Sequence, residues 1–396
     1  MTPILRGLVL AYVALLPYQL EAGDRLNFAP ADCLLLLAIV LVPGALYYRG
    51  AAWSVWHLAI PMTVCTGALV TAMRFGTIHR YEVVNKCAGL LLPLASYLII
   101  TSCVSEWNDL RLIVRAFVYG VVFENLFAVG GFLAAYFFGV SNPFTQYGGL
   151  RLSGTLLDPN AYGGLLVAAL VMCEAASYGA TPVFDGLGLW ISRVTLLLGI
   201  LFTFSRSAWI ALGVALIGLC LIRTRVALRF LMASAGALLC LFLVMGPRFL
   251  PIFETMASRP KQVQGRFDLI HSGLRDFVAH PLFGGGLGSF RIGEGEIAHN
   301  TAMWFLADFG VFGLIALAGF LGWFFVKAWQ AYQLAPEAER PVALGVLLAH
   351  AAMLGLAMGI EAFYQRPWWM VFALIASGYC LTLRHASSRN FRNSYV

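Results

Sequence analysis

Charge is what this chain has least of. Only 11% of its 396 residues are Asp, Glu, Lys or Arg, where an ordinary soluble domain carries roughly 25%. Hydrophobic residues make up 60%, and the mean hydropathy is +0.81. A chain this long and this apolar reads as an all-α polytopic membrane protein. The marks of several enzyme classes are missing. No Walker phosphate loop occurs, which excludes a P-loop NTPase, and no His-Glu-x-x-His, which disfavours a zinc protease. No Asp-x-Asp pair lies in an outward loop, so a metal-bound nucleotide-sugar site is not indicated. The eight cysteines (Cys33, Cys65, Cys87, Cys103, Cys173, Cys220, Cys240 and Cys380) include no Cys-x-x-Cys and lie in or beside apolar runs. They imply neither a disulfide framework nor a zinc ribbon, and are expected to behave as small hydrophobes. Internal repeats and low-complexity tracts are lacking too. No small-residue cleavage site follows the first apolar run, which is expected to be a retained helix.

What is present is a row of apolar runs. A spanning helix takes roughly 20 mostly apolar residues. That ruler predicts twelve spans: 4–20, 32–48, 55–73, 88–104, 112–138, 161–178, 187–204, 207–222, 228–245, 301–326, 342–363 and 367–383. The whole chain, 1–396, is then one transmembrane domain. The net charge of +7 is assigned to basic loops beside anionic lipid, not to nucleic acid. Arg223, Arg225 and Arg229 in one connector and Arg384, Arg389 and Arg392 in the tail are expected on the cytoplasmic side. Both termini then lie inside. The join Ser205-Arg206 and the segments 139–160 and 246–300 lie outside. The outer loop 74–87 carries Arg74, Arg80 and Lys86 against the positive-inside rule. Basic outer loops are what a site for an anionic ligand looks like.

The long polar interval 246–300, between the ninth and tenth predicted spans, is expected to be the lid and catalytic edge of an enzyme. Within it Phe267, Ile270, Leu274, Phe277 and Val278 recur at helical spacing, with Arg266, Asp268, Ser272, Arg275 and Asp276 off that stripe. This predicts an amphipathic helix lying at the membrane surface. His280-Pro281 ends it, and Gly284-Gly285-Gly286 with Gly288 permits a tight, closely packed turn. Four polar groups fall at the outer ends of separate spans: Arg151, Arg206, Arg266 and His299. A lone arginine there can simply snorkel to the headgroups. Several converging on one cavity imply an anion such as a diphosphate, because guanidinium stays charged and grips phosphate oxygens bidentately. His299 precedes a helix for which Asn300 is a good N-cap, and its partial positive end suits a phosphate. Two readings of His299 stand: a base that accepts a proton from a hydroxyl, or a loop histidine bonded to backbone. His271 and His280 are weaker candidates. His57 and His350, inside spans, read as interhelical hydrogen-bond groups. Glu124-Asn125, midway through the fifth span, reads either as functional or as a bridge between helices. Asp158-Pro159-Asn160 reads as a capped helix entry.

Four stretches resemble, in order, the O-antigen ligase and polysaccharide polymerase superfamily of bacterial inner membranes. They are Arg151-Leu-Ser-Gly-Thr-Leu-Leu-Asp-Pro-Asn160, Phe204-Ser-Arg-Ser-Ala-Trp209, Gly265-Arg266 followed by His280-Pro-Leu-Phe-Gly-Gly-Gly-Leu-Gly288, and His299-Asn300 followed by Leu306 and Gly310-Val-Phe-Gly-Leu314. The resemblance implies an inverting glycosyltransferase at the periplasmic face of the inner membrane. The donor it implies is a glycan on undecaprenyl diphosphate. The acceptor is a sugar hydroxyl, on lipid A–core for a ligase or on another lipid-linked glycan for a polymerase. Neither a cofactor nor a metal is expected. Carried over, Arg206 and Arg266 hold the diphosphate, with Arg151 a further member, and His299 is the catalytic residue. A lipid-linked glycan transporter, in which the arginines only bind and release phosphates, is the reading from a different class.

Overall fold

The computed structural model describes residues 3–22, 26–41, 44, 53–76, 80–146, 151–156, 158–246, 250, 254 and 260–393. These form an all-α membrane protein in which eight helices are long and apolar enough to cross a bilayer. The order is α1 (Pro3–Ala14), α2 (Pro30–Leu41), α3 (Val55–Phe75), α4 (Arg80–Cys103), α5 (Trp107–Phe138), α6 (Pro159–Ala176), α7 (Gly186–Thr203), α8 (Arg206–Met245), α9 (Pro260–Ala279), α10 (Ser289–Glu294), α11 (Thr301–Leu334), α12 (Arg340–Ala357) and α13 (Arg366–Asn393). Two small antiparallel hairpins, Leu20–Ala22 with Leu26–Phe28 and Thr145–Gln146 with Arg151–Leu152, cover one face of the bundle. That face also carries α9 and α10, and it is called the site face here.

The first predicted span is shorter than expected. The helix over 4–20 stops at Ala14, since Pro17 has no N–H to donate and pushes the residue before it out of the α region. The second is helical over Pro30–Leu41, and residues 42–43 and 45–48 of that expectation lie outside the described residues. Arg248 and Arg259 of the polar interval do so as well. The opposite face is clamped by polar contacts. Arg111 bonds Glu339 at 2.8 Å and the Thr181 hydroxyl at 2.6 Å, and Arg6 pairs with Asp109 at 3.3 Å. Gly378 packs beside Leu110 and Trp107, so α1 begins and α13 ends on this side.

Two predicted spans, 207–222 and 228–245, are the two helical arms of α8, which meet at a single non-helical residue, Arg223 (φ −143°, ψ 64°). The chain reverses there. Ser205, the N-cap of α8, bonds Asn160 at 2.9 Å, and at the other end the Met245 carbonyl accepts from the Tyr136 hydroxyl at 3.2 Å. Both ends therefore lie on the site face. The corner packs its Arg223 guanidinium 5.7 Å from the Tyr178 ring. The expected basic connector is thus a tight corner between the two arms.

A second break, in α11 at Gly310 (φ 66°, ψ −160°), does more for the site. Only glycine adopts that conformation readily. The break leaves the Ala307 and Asp308 carbonyls and the Val311 and Phe312 amides without helical partners. In lipid such groups must be satisfied by protein. The glycine-rich loop supplies all four. Gly285 N–H donates to Ala307 at 2.8 Å and Gly286 N–H to Asp308 at 2.9 Å, while Val311 N–H donates to Pro281 at 2.9 Å and Phe312 N–H to Leu282 at 3.4 Å. The Asp308 side chain, fully buried, accepts from Gly288 N–H (2.7 Å), the Ser289 hydroxyl (3.1 Å), Phe290 N–H (3.0 Å) and Trp304 Nε1 (2.7 Å). From α3, Gly67 and Thr71 bond Leu287, and Arg74 reaches the Gly285 carbonyl at 2.8 Å. The 281–290 part of the polar interval is consequently a spliced, largely buried piece of the bundle, which fits an edge better than a lid.

The amphipathic helix forms as α9, and its faces are distributed in a particular way. Phe267, Leu274 and Val278 of the apolar stripe are exposed, whereas Ser272 and Gly273 are buried and Arg266, Leu269 and Asp276 are half-buried. Gly273 lets the helix close on Met303 in the first turn of α11. In a bilayer, lipid is as good a partner for leucine as protein is, so close helix packing selects small residues instead. The exposed part of the stripe, Phe267, Leu274 and Val278, is left for lipid, whereas Ile270, Phe277 and Arg266 are half-buried toward the bundle.

Candidate active site

The site is built from three helix N-termini. Helix α6 starts at Pro159 with Asp158 as N-cap, its carboxylate accepting from Asn160 N–H at 2.9 Å. Helix α8 starts at Arg206 with Ser205 as N-cap, accepting from Ala208 N–H at 3.2 Å. Helix α11 starts at Thr301 with Asn300 as N-cap, accepting from Met303 N–H at 2.9 Å. The Asp158 and Asn300 caps are the ones their residue types predict. Each N-terminus carries partial positive charge and unsatisfied N–H groups, so their convergence is a place for an anion.

Side-chain bonds join the first two starts. The Ser205 hydroxyl donates to Asn160 Oδ1 at 2.9 Å. Arg151 donates to the same Oδ1 at 3.1 Å and to the Thr203 carbonyl at 2.8 Å. Arg151 is only 4% exposed. Its guanidinium braces the turn between α7 and α8 from behind, whereas Arg206 is half-buried in the first turn of α8 itself. That turn is tight because Phe204 takes a left-handed conformation (φ 47°, ψ 35°).

The third start joins them through Arg266 and the connector 358–361. A side chain at Gly359 would run into the Ser207 hydroxyl and come within 3.5 Å of an Arg266 guanidinium nitrogen, so all three groups meet there. Ser207 is 1% exposed and its hydroxyl has no hydrogen-bond partner; the same holds for the buried Nδ1 of His299. An unsatisfied buried polar atom costs about 1–3 kcal/mol, and such atoms call for a functional account. His299 has φ 49°. Among the described residues, Phe204 and His299 are the two non-glycines with positive φ, and both flank this site. Left-handed conformations at such residues cost of order 1–3 kcal/mol and gather where function requires them. Burial, and after it the Arg266 guanidinium, lowers the pKa of His299 below its ordinary value; Asp158, Glu361 and Glu296 act in the opposite direction. The balance favours the neutral imidazole, the form a base needs.

Two residues here escaped sequence reasoning. Glu361 sits in what reads as the end of a span. Its Oε1 accepts from Ala298 N–H at 2.9 Å and its Oε2 from Lys86 Nζ at 3.2 Å. Lys86 in turn lies 4.7 Å from the Trp304 ring centre and 5.4 Å from that of Tyr364. The one signal for Lys86 was its place in a basic outer loop. For Glu361 the signal was a carboxylate at the edge of an apolar run, which the span count absorbed.

The other candidates lie elsewhere. His271 is exposed and His280 half-buried at the end of α9. His57 contacts the Tyr97 hydroxyl at 3.3 Å, and His350 lies 3.0 Å from Trp368 Nε1 and 3.2 Å from the Leu321 carbonyl; both link helices, in keeping with the sequence reading. Tyr162 donates to Glu124 at 2.7 Å and sits 2.8 Å from Asn125 Oδ1, Thr155 N–H donates to Glu124 at 2.9 Å, and Asn125 donates to the Thr195 carbonyl at 2.6 Å. Glu124-Asn125 thus bridges α5, α6, α7 and the segment before α6. Among the described residues, no group of three His, Cys, Asp or Glu is placed to hold a metal ion.

No curated protein sequence matches the chain. Residues 191–318 match a family model described as O-antigen ligase. The matched segment runs from α7 into α11; Lys86, Arg151 and Glu361 lie outside it. The match supports the superfamily resemblance over the segment that holds Arg206, Arg266 and His299, which is similar to an O-antigen ligase domain.

Proposed function

We propose that the chain is a membrane glycosyltransferase of the O-antigen ligase type. It moves a glycan from undecaprenyl diphosphate to a sugar hydroxyl of lipid A–core, with the site face toward the periplasm and the bundle in the inner membrane. The observation that carries this reading is the meeting of three helix N-termini, Arg266 and the unpartnered Ser207 hydroxyl beside a half-buried histidine. This is a setting for a polyanion next to a base. Arg206 and Arg266 hold the diphosphate, and Arg151 supports them by bracing the α7–α8 turn.

In the reaction the acceptor oxygen attacks the anomeric carbon from the side opposite the diphosphate. The new C–O bond forms as the bond to the phosphate oxygen breaks, so the anomeric configuration inverts. His299 takes the acceptor's proton, a contribution of roughly 10²–10⁴-fold in rate. The electron pair of the broken bond leaves on the diphosphate. Arginines and helix N-termini stabilise that growing charge without a metal ion.

The test uses purified protein in detergent with a defined lipid-linked glycan, with and without lipid A–core. Glycan transferred to lipid A–core supports the ligase. Transfer only to a second lipid-linked glycan makes the chain a polymerase. Donor that is bound but never consumed, in the absence of a membrane gradient, overturns the enzyme reading in favour of transport.

A further inference from the structure

Beyond the arginines and the histidine, a buried ion pair stands one residue from the site. Glu361 and Lys86 side chains are 8% and 9% exposed and 3.2 Å apart. They come from different elements: Lys86 from α4, Glu361 from the connector between α12 and α13. A buried pair of this kind is weak evidence for stability, because desolvation offsets most of its attraction. Its placement is more informative. Glu361 accepts from Ala298 N–H at 2.9 Å, and three more bonds fasten the same connector to the start of α11. Asn300 donates to the Met358 carbonyl at 3.1 Å, the Thr301 hydroxyl donates to the Ile360 carbonyl at 2.8 Å, and Ala362 N–H donates to the Thr301 hydroxyl at 2.9 Å. His299 lies between these anchors in its left-handed conformation.

We infer that Glu361 and Lys86 are positioning residues for His299: the carboxylate holds the backbone beside it, and the ammonium, paired with it at 3.2 Å, offsets part of the charge that this anchor imposes on the imidazole. The role rests on His299 being the base. A bare carboxylate next to an imidazole favours the protonated ring and would disable a base. Glutamine would make the same backbone bond without charge, but it would leave Lys86 bare. The pair supplies the anchor and moderates its field. The other charged groups facing His299 are Arg266 from α9, Asp158 at the start of α6 and Glu296 in its own loop. Asp308 of α11 lies within electrostatic reach of both Lys86 and Glu361, with its oxygens held by four donors. None of these changes in the variants below.

The experiment is the acidic limb of the pH profile of kcat, measured on purified full-length protein with lipid-linked glycan donor and acceptor. Lys86→Met exposes His299 to Glu361, and the limb moves up by on the order of one pH unit. Glu361→Gln leaves Lys86 alone, and the limb moves down by a similar amount. In the double variant the limb returns close to that of the parent. Opposite single shifts that cancel are a signature no purely structural role produces. Shifts of the same sign, or none, in enzymes that fold would overturn the inference, provided His299→Ala is inactive. Normal turnover in His299→Ala would overturn the base reading itself and this role with it. If Glu361→Gln does not fold, Lys86→Met against Lys86→Arg decides: the first moves the limb and the second does not, and equal profiles count against the pair.

Discussion

The backbone N–H of Ala298 donates to the Glu361 carboxylate at 2.9 Å, so the residue before His299 hangs on an acidic group that arrives sixty-odd positions later in the chain. The left-handed backbone of His299 is held from outside its own loop. That arrangement suits a side chain whose direction matters more than its local stability.

If His299 is the base, His299→Ala folds, binds donor and loses roughly 10²–10⁴-fold in turnover. Its pKa is lowered by burial and by Arg266. The ring is therefore neutral and competent at neutral pH, and turnover falls as pH drops through the lowered pKa. His271→Ala, on an exposed position of α9, keeps near-normal activity. Activity per correctly folded molecule separates a catalytic from a structural histidine; near-normal specific activity in His299→Ala would sink the assignment.

Arg266→Ala and Arg206→Ala are expected to weaken donor binding. A charge-assisted hydrogen bond contributes about 1.5–3 kcal/mol, so each loss is on the order of 10- to 100-fold in Kd. Arg266→Lys keeps the charge but not the bidentate fork, and it remains impaired. The measurement is titration with undecaprenyl diphosphate in detergent. Unchanged affinity in both alanine variants contradicts the diphosphate assignment.

Asp308 is a stability prediction. Asp308→Ala strands four donors: Gly288 N–H, Ser289 Oγ, Phe290 N–H and Trp304 Nε1. Each unsatisfied buried donor costs about 1–3 kcal/mol, enough together to exhaust much of the stability of an ordinary fold. A large drop in Tm, or loss of folded protein on detergent extraction, is expected. A variant as stable as the parent would show that the loop does not depend on this carboxylate.

The topology has its own test. Gly293 on the site face has open space around it, and Glu337 on the opposite face is exposed. With the native cysteines replaced, Gly293→Cys is expected to react with a membrane-impermeant thiol reagent in spheroplasts, and Glu337→Cys only after lysis. The reverse pattern would place the site face in the cytoplasm.

Much of this protein was legible in its sequence because bilayers act on local properties. A run of roughly 20 apolar residues buries itself in lipid wherever it occurs, so nearly every span is found near its predicted place. The caps are local too: Asp158 and Asn300 each satisfy an amide two or three residues on, as their side chains dictate. The tight join at Ser205-Arg206 is equally local, though it turns on a phenylalanine in a conformation usually left to glycine.

Tertiary structure decided the remainder, because the deciding contacts are distant in sequence. The glycines of 284–288 and Gly310 are visible as letters, but that one set completes the broken hydrogen-bond ladder of the other is a fact about two backbones meeting. Asp308 and Glu361 read as blemishes in apolar runs until the chain folds and each gathers its donors. Which side of α9 faces the bundle ran against soluble-protein intuition: lipid welcomes Phe267, Leu274 and Val278, while Gly273 and Ser272 pack inward with Arg266 half-buried beside them. Hydrophobicity placed the helices in the membrane, and hydrogen bonds that lipid cannot supply set how their ends met.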